Sequence, residues 1–150
     1  IKARWMPKPN LNIEMLTPER VDELWDWLEP LLTASCNSNE IGSDDITSGD
    51  IYCLAQTDQC VIFALSNNGM PECVIAVQFH LANGKKGADL IAMAGKNLSK
   101  FRDAFWESIL DWLRANECMF LDAYGTERLA KHYIKRFGFT KSCAYVRMIL

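Results

Sequence analysis

The sequence predicts an α/β (α+β) fold, with a mixed central sheet of six to seven strands flanked by about four helices, in one domain spanning residues 1–150. Three observations carry this expectation. Apolar β-type runs succeed one another between residues 51 and 81, two of them joined by Asn67-Asn68-Gly69, whose Asn-Gly step suits a tight hairpin turn. A helix-periodic segment follows, with Leu98, Phe101, Phe105, Ile109 and Trp112 on one face. Beyond the antiparallel runs the order becomes strand, helix, strand, helix, strand, and strands separated by helices tend to lie parallel in one sheet.

Thr17-Pro18-Glu19 reads as an N-cap, a proline at the first helical position and an acid in the first turn, and Val21, Leu24, Trp25 and Leu28 follow at helical spacing. Pro30 is expected to disturb the end of this helix. The polar stretch 35–49 is expected to be a loop with at most one short helical turn, either a lid or a connection. Runs 51–56, 60–66 and 72–81 are predicted as an antiparallel meander. After Asn83-Gly84-Lys85-Lys86-Gly87 a fourth strand, 88–94, ends at Gly95, and Asn97 or Ser99 can cap the periodic helix. Residues 118–124 form the fifth strand, Gly125-Thr126 turns the chain, and Thr126 caps a helix carrying Leu129, Tyr133 and Phe137 to a stop at Gly138. A final strand is predicted over 144–150.

Composition narrows the function classes. With 49% apolar residues in 150, one core is amply supplied. A net charge of -3 gives no global attraction to nucleic acid or to an acidic membrane, so nucleic acid is disfavoured as a partner. No run of 18 apolar residues offers a membrane span, and Ile1-Lys2-Ala3-Arg4-Trp5-Met6-Pro7 lacks the apolar core of a signal peptide, so the protein is expected neither in the membrane nor outside the cell. The six cysteines form no C-x-x-C pair and sit in apolar segments, where a free thiol behaves as a small hydrophobe. His80 and His132 are the only histidines and neither accompanies a cysteine pair, so no metal site is assigned.

The segment Ala130-Lys131-His132-Tyr133-Ile134-Lys135-Arg136-Phe137-Gly138-Phe139 resembles the late-helix motif, roughly A-x-x-[F/L]-Y-x-x-x-G-F, of the GNAT (acyl-CoA N-acyltransferase) superfamily, whose element order is also similar. Three stretches, Ala94-Gly95-Lys96-Asn97-Leu98-Ser99-Lys100-Phe101-Arg102, Gly125-Thr126, and Tyr133-Ile134-Lys135-Arg136-Phe137-Gly138, resemble small GNAT-like proteins of tailed phages. That group includes virion and morphogenesis proteins of short-tailed coliphages.

The resemblance implies where an active site would sit. In the family a pyrophosphate cradle, [Q/R]-x-x-G-x-[G/A], joins the fourth strand to its helix, where backbone N–H groups approach phosphate at a helix N-terminus. Here that place holds Met93, Ala94, Gly95, Lys96, Asn97 and Ser99, the candidate cofactor-binding residues, with one glycine where the pattern asks for two small positions. An ordinary capped helix start would look the same. Mapping the late motif puts Tyr133 on its [F/L] position and Ile134 on the tyrosine that acts as acid in many members, so the usual acid is missing. Tyr124 is a candidate substitute, or a packing aromatic. For a base the titratable groups on or beside the central strands are His80, Asp89 and Asp122. No catalytic residue is assigned. Arg128, Lys131, Lys135, Arg136 and Lys141 gather around the last helix, either as a phosphate-binding patch or as a solvated face.

Two readings follow from the resemblance, since a fold does not fix a function. The leading one is a phage virion-associated or morphogenesis protein, in the host cytoplasm or the virion, with a degenerate acyl-CoA cleft; it needs no cofactor and works through contacts with other phage proteins. The alternative is an acetyl-CoA-dependent N-acetyltransferase with a divergent pyrophosphate loop.

Overall fold

The computed structural model describes residues 10–37, 46–123, 127–141 and 148. Along these the chain forms β1 (Leu11–Met15), α1 (Pro18–Asn37), α2 (Ser48–Gln56), β2 (Cys60–Asn67), β3 (Met70–Ala82), β4 (Lys85–Gly95), α3 (Leu98–Ala115), β5 (Leu121–Ala123) and α4 (Glu127–Phe137). The sheet order is β1-β2-β3-β4-β5, antiparallel up to β4 and parallel between β4 and β5. The expected mixed sheet is present, with five strands among the described residues where six to seven were predicted. The strand expected over 144–150 lies outside the described residues, save Met148.

Residues 51–56, predicted as a strand, are helical. Thr47 closes a capping box with Asp50: its hydroxyl accepts the Asp50 N–H at 3.1 Å, while the Asp50 carboxylate accepts the Thr47 N–H at 2.8 Å. Ile51 and Ala55, four residues apart, then share the buried face. The short run Ile51-Tyr52-Cys53-Leu54-Ala55 fits either period, and the cap decides. Helix α1 likewise runs through Pro30 to Asn37. Pro30 is exposed, so the carbonyl it leaves unpaired can turn to water, while Leu28, Leu32 and Cys36 on the opposite side are buried and hold the helix to the sheet. Strand β1 carried no signal strong enough to predict it; it borrows its order from β2, pairing Leu11 with Asn67 through Met15 with Phe63.

Both faces of the sheet are covered, which explains why β2 and β3 read as continuous apolar runs. Ile62, Ala64, Val74, Ala76 and Ala92 face α1 and α2. Phe63, Leu65, Ile75, Val77 and Leu90 face α3 and α4, meeting Phe101, Ile109, Leu113, Tyr133 and Phe137. Trp106 ties the two helices of that layer, donating its indole N–H to the Phe137 carbonyl at 3.2 Å. Hairpins β2–β3 and β3–β4 turn on Asn68-Gly69 and Asn83-Gly84, each with both residues at positive φ, the backbone of a type I′ turn.

Candidate active site

The parallel pair β4–β5 is short. It matches Ala88 to Leu121, Asp89 to Asp122 and Leu90 to Ala123, and the described pairing stops there while β4 continues to Gly95. At about 3.3 Å per residue, some 16 Å of β4 edge therefore extends past the described pairing. β4 also carries a bulge: Ala76 pairs with Ala92 but Val77 pairs with Leu90, so Ile91 is an extra residue on β4. A bulge bends its strand and sharpens the local twist. Ligands of such sheets bind beyond the carboxyl ends of the parallel strands.

All six candidate cofactor residues lie at this end. Met93 and Ala94 are half-buried on β4, with Met93 facing the α3 layer and Ala94 the α1 layer. The Met93 N–H leaves the edge of the strand and donates to the Ser35 hydroxyl of α1 at 3.0 Å. Gly95, Lys96, Asn97 and Ser99 are exposed in the turn and first helical residues of α3. Gly95 has φ +129°, and a Cβ there would press on the Glu72 carbonyl oxygen and lie 2.6 Å from the Cys73 Cα, so only glycine fits. Lys96 N–H donates to the Glu72 carbonyl at 3.0 Å, and the Cys73 thiol donates to the Lys96 carbonyl, pinning the turn to the start of β3.

Asn97 stands where the family pattern asks for a small residue. It is the N-cap of α3 with φ 59° and makes no side-chain cap. The left-handed backbone is one that glycine adopts freely and that asparagine tolerates better than most residues. Its amide instead donates to the Glu72 carboxylate at 3.1 Å, and its carbonyl accepts from Lys100 and Phe101. With no side-chain cap, the leading N–H groups of an 18-residue helix face outward at its positive end, the arrangement that receives an anion. An exposed helix start of this kind can receive an anion, with the Glu72 carboxylate beside it on Asn97.

The three base candidates converge. Asp89 and Asp122 are paired across β4–β5, and His80 on β3 joins them on the face of the sheet opposite α3. One ligand atom from each lies within 4.8 Å of the others, and all three side chains are half-buried. His80 Nδ1 is 3.0 Å from the Asp89 Oδ2 carboxylate oxygen, within ion-pair distance, while Asp89 Oδ1 is buried with no hydrogen-bond partner. Burial pushes the Asp89 carboxyl above its ordinary value and the nearby Asp122 charge adds to this, against the opposing pull of His80. Phe120 closes the cluster from the side, its ring 5.2 Å from that of His80. The spacing would also admit a divalent cation, for which the sequence offered no assignment.

Other candidates separate. Tyr133 is buried between α3 and α4, where desolvation pushes its hydroxyl up, so it serves the core. Ile134 is exposed and has no proton to give. Tyr124 lies outside the described residues. Arg128, Lys131, Lys135, Arg136 and Lys141 are all exposed along α4 and just past it. Ser35, which sequence reasoning placed at the start of a loop, is a site residue it missed; a serine in the last turns of a helix carries no signal of the strand edge it will meet.

No protein-family model matches the chain, and no curated protein sequence does. Solved structures do. An aminoglycoside acetyltransferase from an uncultured soil metagenomic sample is similar with a TM-score of 0.66 at 14% identity, over 94% of this chain and 99% of that one. Aminoglycoside N-acetyltransferase AAC(6')-Iy, solved in complex with CoA, is similar with a TM-score of 0.70 at 11% identity, over 97% of each chain. Ribosomal-protein-alanine N-acetyltransferase from Brucella melitensis biovar Abortus 2308 follows with a TM-score of 0.63 at 9% identity, over 93% and 97%. The chain has the fold of the GNAT acetyltransferases.

Proposed function

We propose that this chain is an acyl-CoA-dependent N-acyltransferase, the alternative rather than the leading reading of its sequence. The observation that carries it is the end of β4, where the strand leads through a glycine-tight turn into an uncapped helix N-terminus. Supporting it, one similar structure holds CoA. The reading as a phage virion or morphogenesis protein contacting other phage proteins rests on short sequence motifs, and none of the similar structures described above is such a protein.

On this reading the first turn of α3, with Gly95, Lys96, Asn97 and Ser99, holds the pyrophosphate, and the backbone of Met93 and Ala94 faces the acyl-pantetheine arm. Bound acyl-CoA supplies a thioester, an acyl group already activated toward an amine. The chain's own task is then to orient the acceptor and take its proton, because an ammonium has no lone pair with which to attack. Asp89, two residues before the bulge and about 7 Å from it along the strand, accepts that proton directly or through one water. His80 lies against the same carboxylate, close enough to share the proton it takes. The Met93 N–H is aimed into the cleft edge, where it stabilises a carbonyl oxygen that gains charge.

Calorimetric titration of the reduced protein with acetyl-CoA and with CoA, beside a thermal melt, tests the proposal. Micromolar binding with a raised midpoint is the expected result, because a ligand that binds only the native state must raise it. No heat and no shift at millimolar ligand would refute it and return the non-catalytic reading to first place.

A further inference from the structure

We infer that Ser35 holds the acyl-carbonyl position closed in the unliganded protein, and that it favours free CoA over the thioester until it is displaced. This deepens the acyltransferase reading above and depends on it. The Met93 N–H points out of the strand edge past the described β5 pairing, and the Ser35 hydroxyl takes it at 3.0 Å. A carbonyl oxygen accepting from the same N–H must sit at about that distance along the same direction. Two oxygens cannot occupy that point, so the thioester carbonyl and the Ser35 hydroxyl compete for one donor.

The backbone around Ser35 is held, since Leu32 and Cys36 on either side of it are buried in the α1 layer. Displacement therefore falls to the side chain, by rotation to another staggered χ1 position. The competition is uneven along the reaction. Against a neutral thioester carbonyl the hydroxyl is a comparable acceptor, whereas an oxygen carrying charge is bound about twice as strongly and wins. Every state in which the carbonyl takes the Met93 N–H must first break the Ser35 bond, so Ser35 weakens binding of the thioester by that bond. Free CoA has no carbonyl at that position and does not meet Ser35.

The test is titration of the wild type, Ser35→Ala and Ser35→Cys with acetyl-CoA and with free CoA. Alanine removes the acceptor, and cysteine nearly keeps the volume while offering only a weak sulfur acceptor. Both variants should bind acetyl-CoA about two- to tenfold more tightly, the equivalent of one ordinary hydrogen bond, with affinity for free CoA unchanged. The Met93 amide should exchange with solvent faster in unliganded Ser35→Ala than in the wild type. Unchanged or weaker acetyl-CoA binding in a folded variant overturns the inference, as does an equal gain for both ligands, which would mean simple relief of crowding. If neither wild type nor variants bind either ligand, the acyltransferase reading itself fails and this inference falls with it.

Discussion

Replacing Gly95 by alanine adds one methyl group at the point where β4, β3 and α3 meet. At φ +129° the backbone is almost confined to glycine, and holding alanine there costs about 1–3 kcal/mol. The added Cβ would lie 2.6 Å from the Cys73 Cα, where ordinary contacts begin at 3.4 Å, and its neighbours are backbone that cannot rotate aside. The turn must therefore move by about 1 Å, which brings the total to roughly 2–4 kcal/mol. For a chain of this length that lowers the melting midpoint by about 5–15 °C. Displacement by 1 Å also takes the α3 N–H groups off their target, so acetyl-CoA affinity should fall about 100-fold by analogy with misplaced catalytic groups. Proline at the same position would do worse than abolish binding, because its fixed φ near −65° opposes the observed angle and the β3–β4 pairing would suffer too. The assay is a thermal melt with titration calorimetry, using Gly138→Ala as the control: Gly138 also has positive φ, 81°, but a Cβ there meets nothing within 4 Å. A Gly95→Ala protein that melts within about 2 °C of the wild type and binds acetyl-CoA unchanged would refute both the strain and the site.

Asp89→Asn should lower turnover by about 100-fold or more if Asp89 takes the amine proton. It should also stabilise the protein at neutral pH: the folded state holds the Asp89 proton more tightly than the unfolded chain, so the wild type is favoured below the ordinary value of 3.8 and loses that advantage as pH rises through the raised folded value. Melts across pH should show no difference between the two proteins in acid and a growing gap toward neutrality; a gap that shrinks with pH would reverse the assignment. Adding a chelator should leave activity intact, and its loss would reassign His80, Asp89 and Asp122 as cation ligands. Thr47→Ala opens the capping box of α2 and should cost about 1 kcal/mol, or 2–4 °C in the melt, with no change in acetyl-CoA affinity. Among the described thiols, Cys53 is exposed while Cys36, Cys60 and Cys73 are buried, and burial pushes Cys60 and Cys73 up to about 12; a thiol-specific reagent should modify Cys53 at once and those three only after denaturation.

The sequence by itself determined the fold class, because that rests on patterns local to each segment. Thr17-Pro18-Glu19 started α1 as expected, with the Thr17 hydroxyl accepting the Arg20 N–H at 3.2 Å, and the period of Leu98 through Trp112 placed Phe101 and Ile109 on the buried face of α3, where Trp106 and Leu113 join them and Leu98, Phe105 and Trp112 are half-buried. The Asn68-Gly69 step placed the β2–β3 hairpin for the same reason, because the left-handed backbone it favours is a property of two adjacent residues, while the equivalent turn at Asn83-Gly84 was not predicted. Locality also explains the error at residues 51–56, where five apolar residues carry no period of their own and the deciding bond lies upstream in Thr47. The candidate site was legible only as a list. That Asn97 would donate its amide to Glu72, 25 residues away, depends on where β3 and the start of α3 meet. That His80, Asp89 and Asp122 would share one face of the sheet depends on the register of three strands, which a one-residue slip would undo. That Ser35 would meet Met93, 58 residues on, follows from where α1 crosses the sheet. These are decisions of tertiary structure, because each bond joins groups whose distance along the chain says nothing about their distance in space until the core has packed.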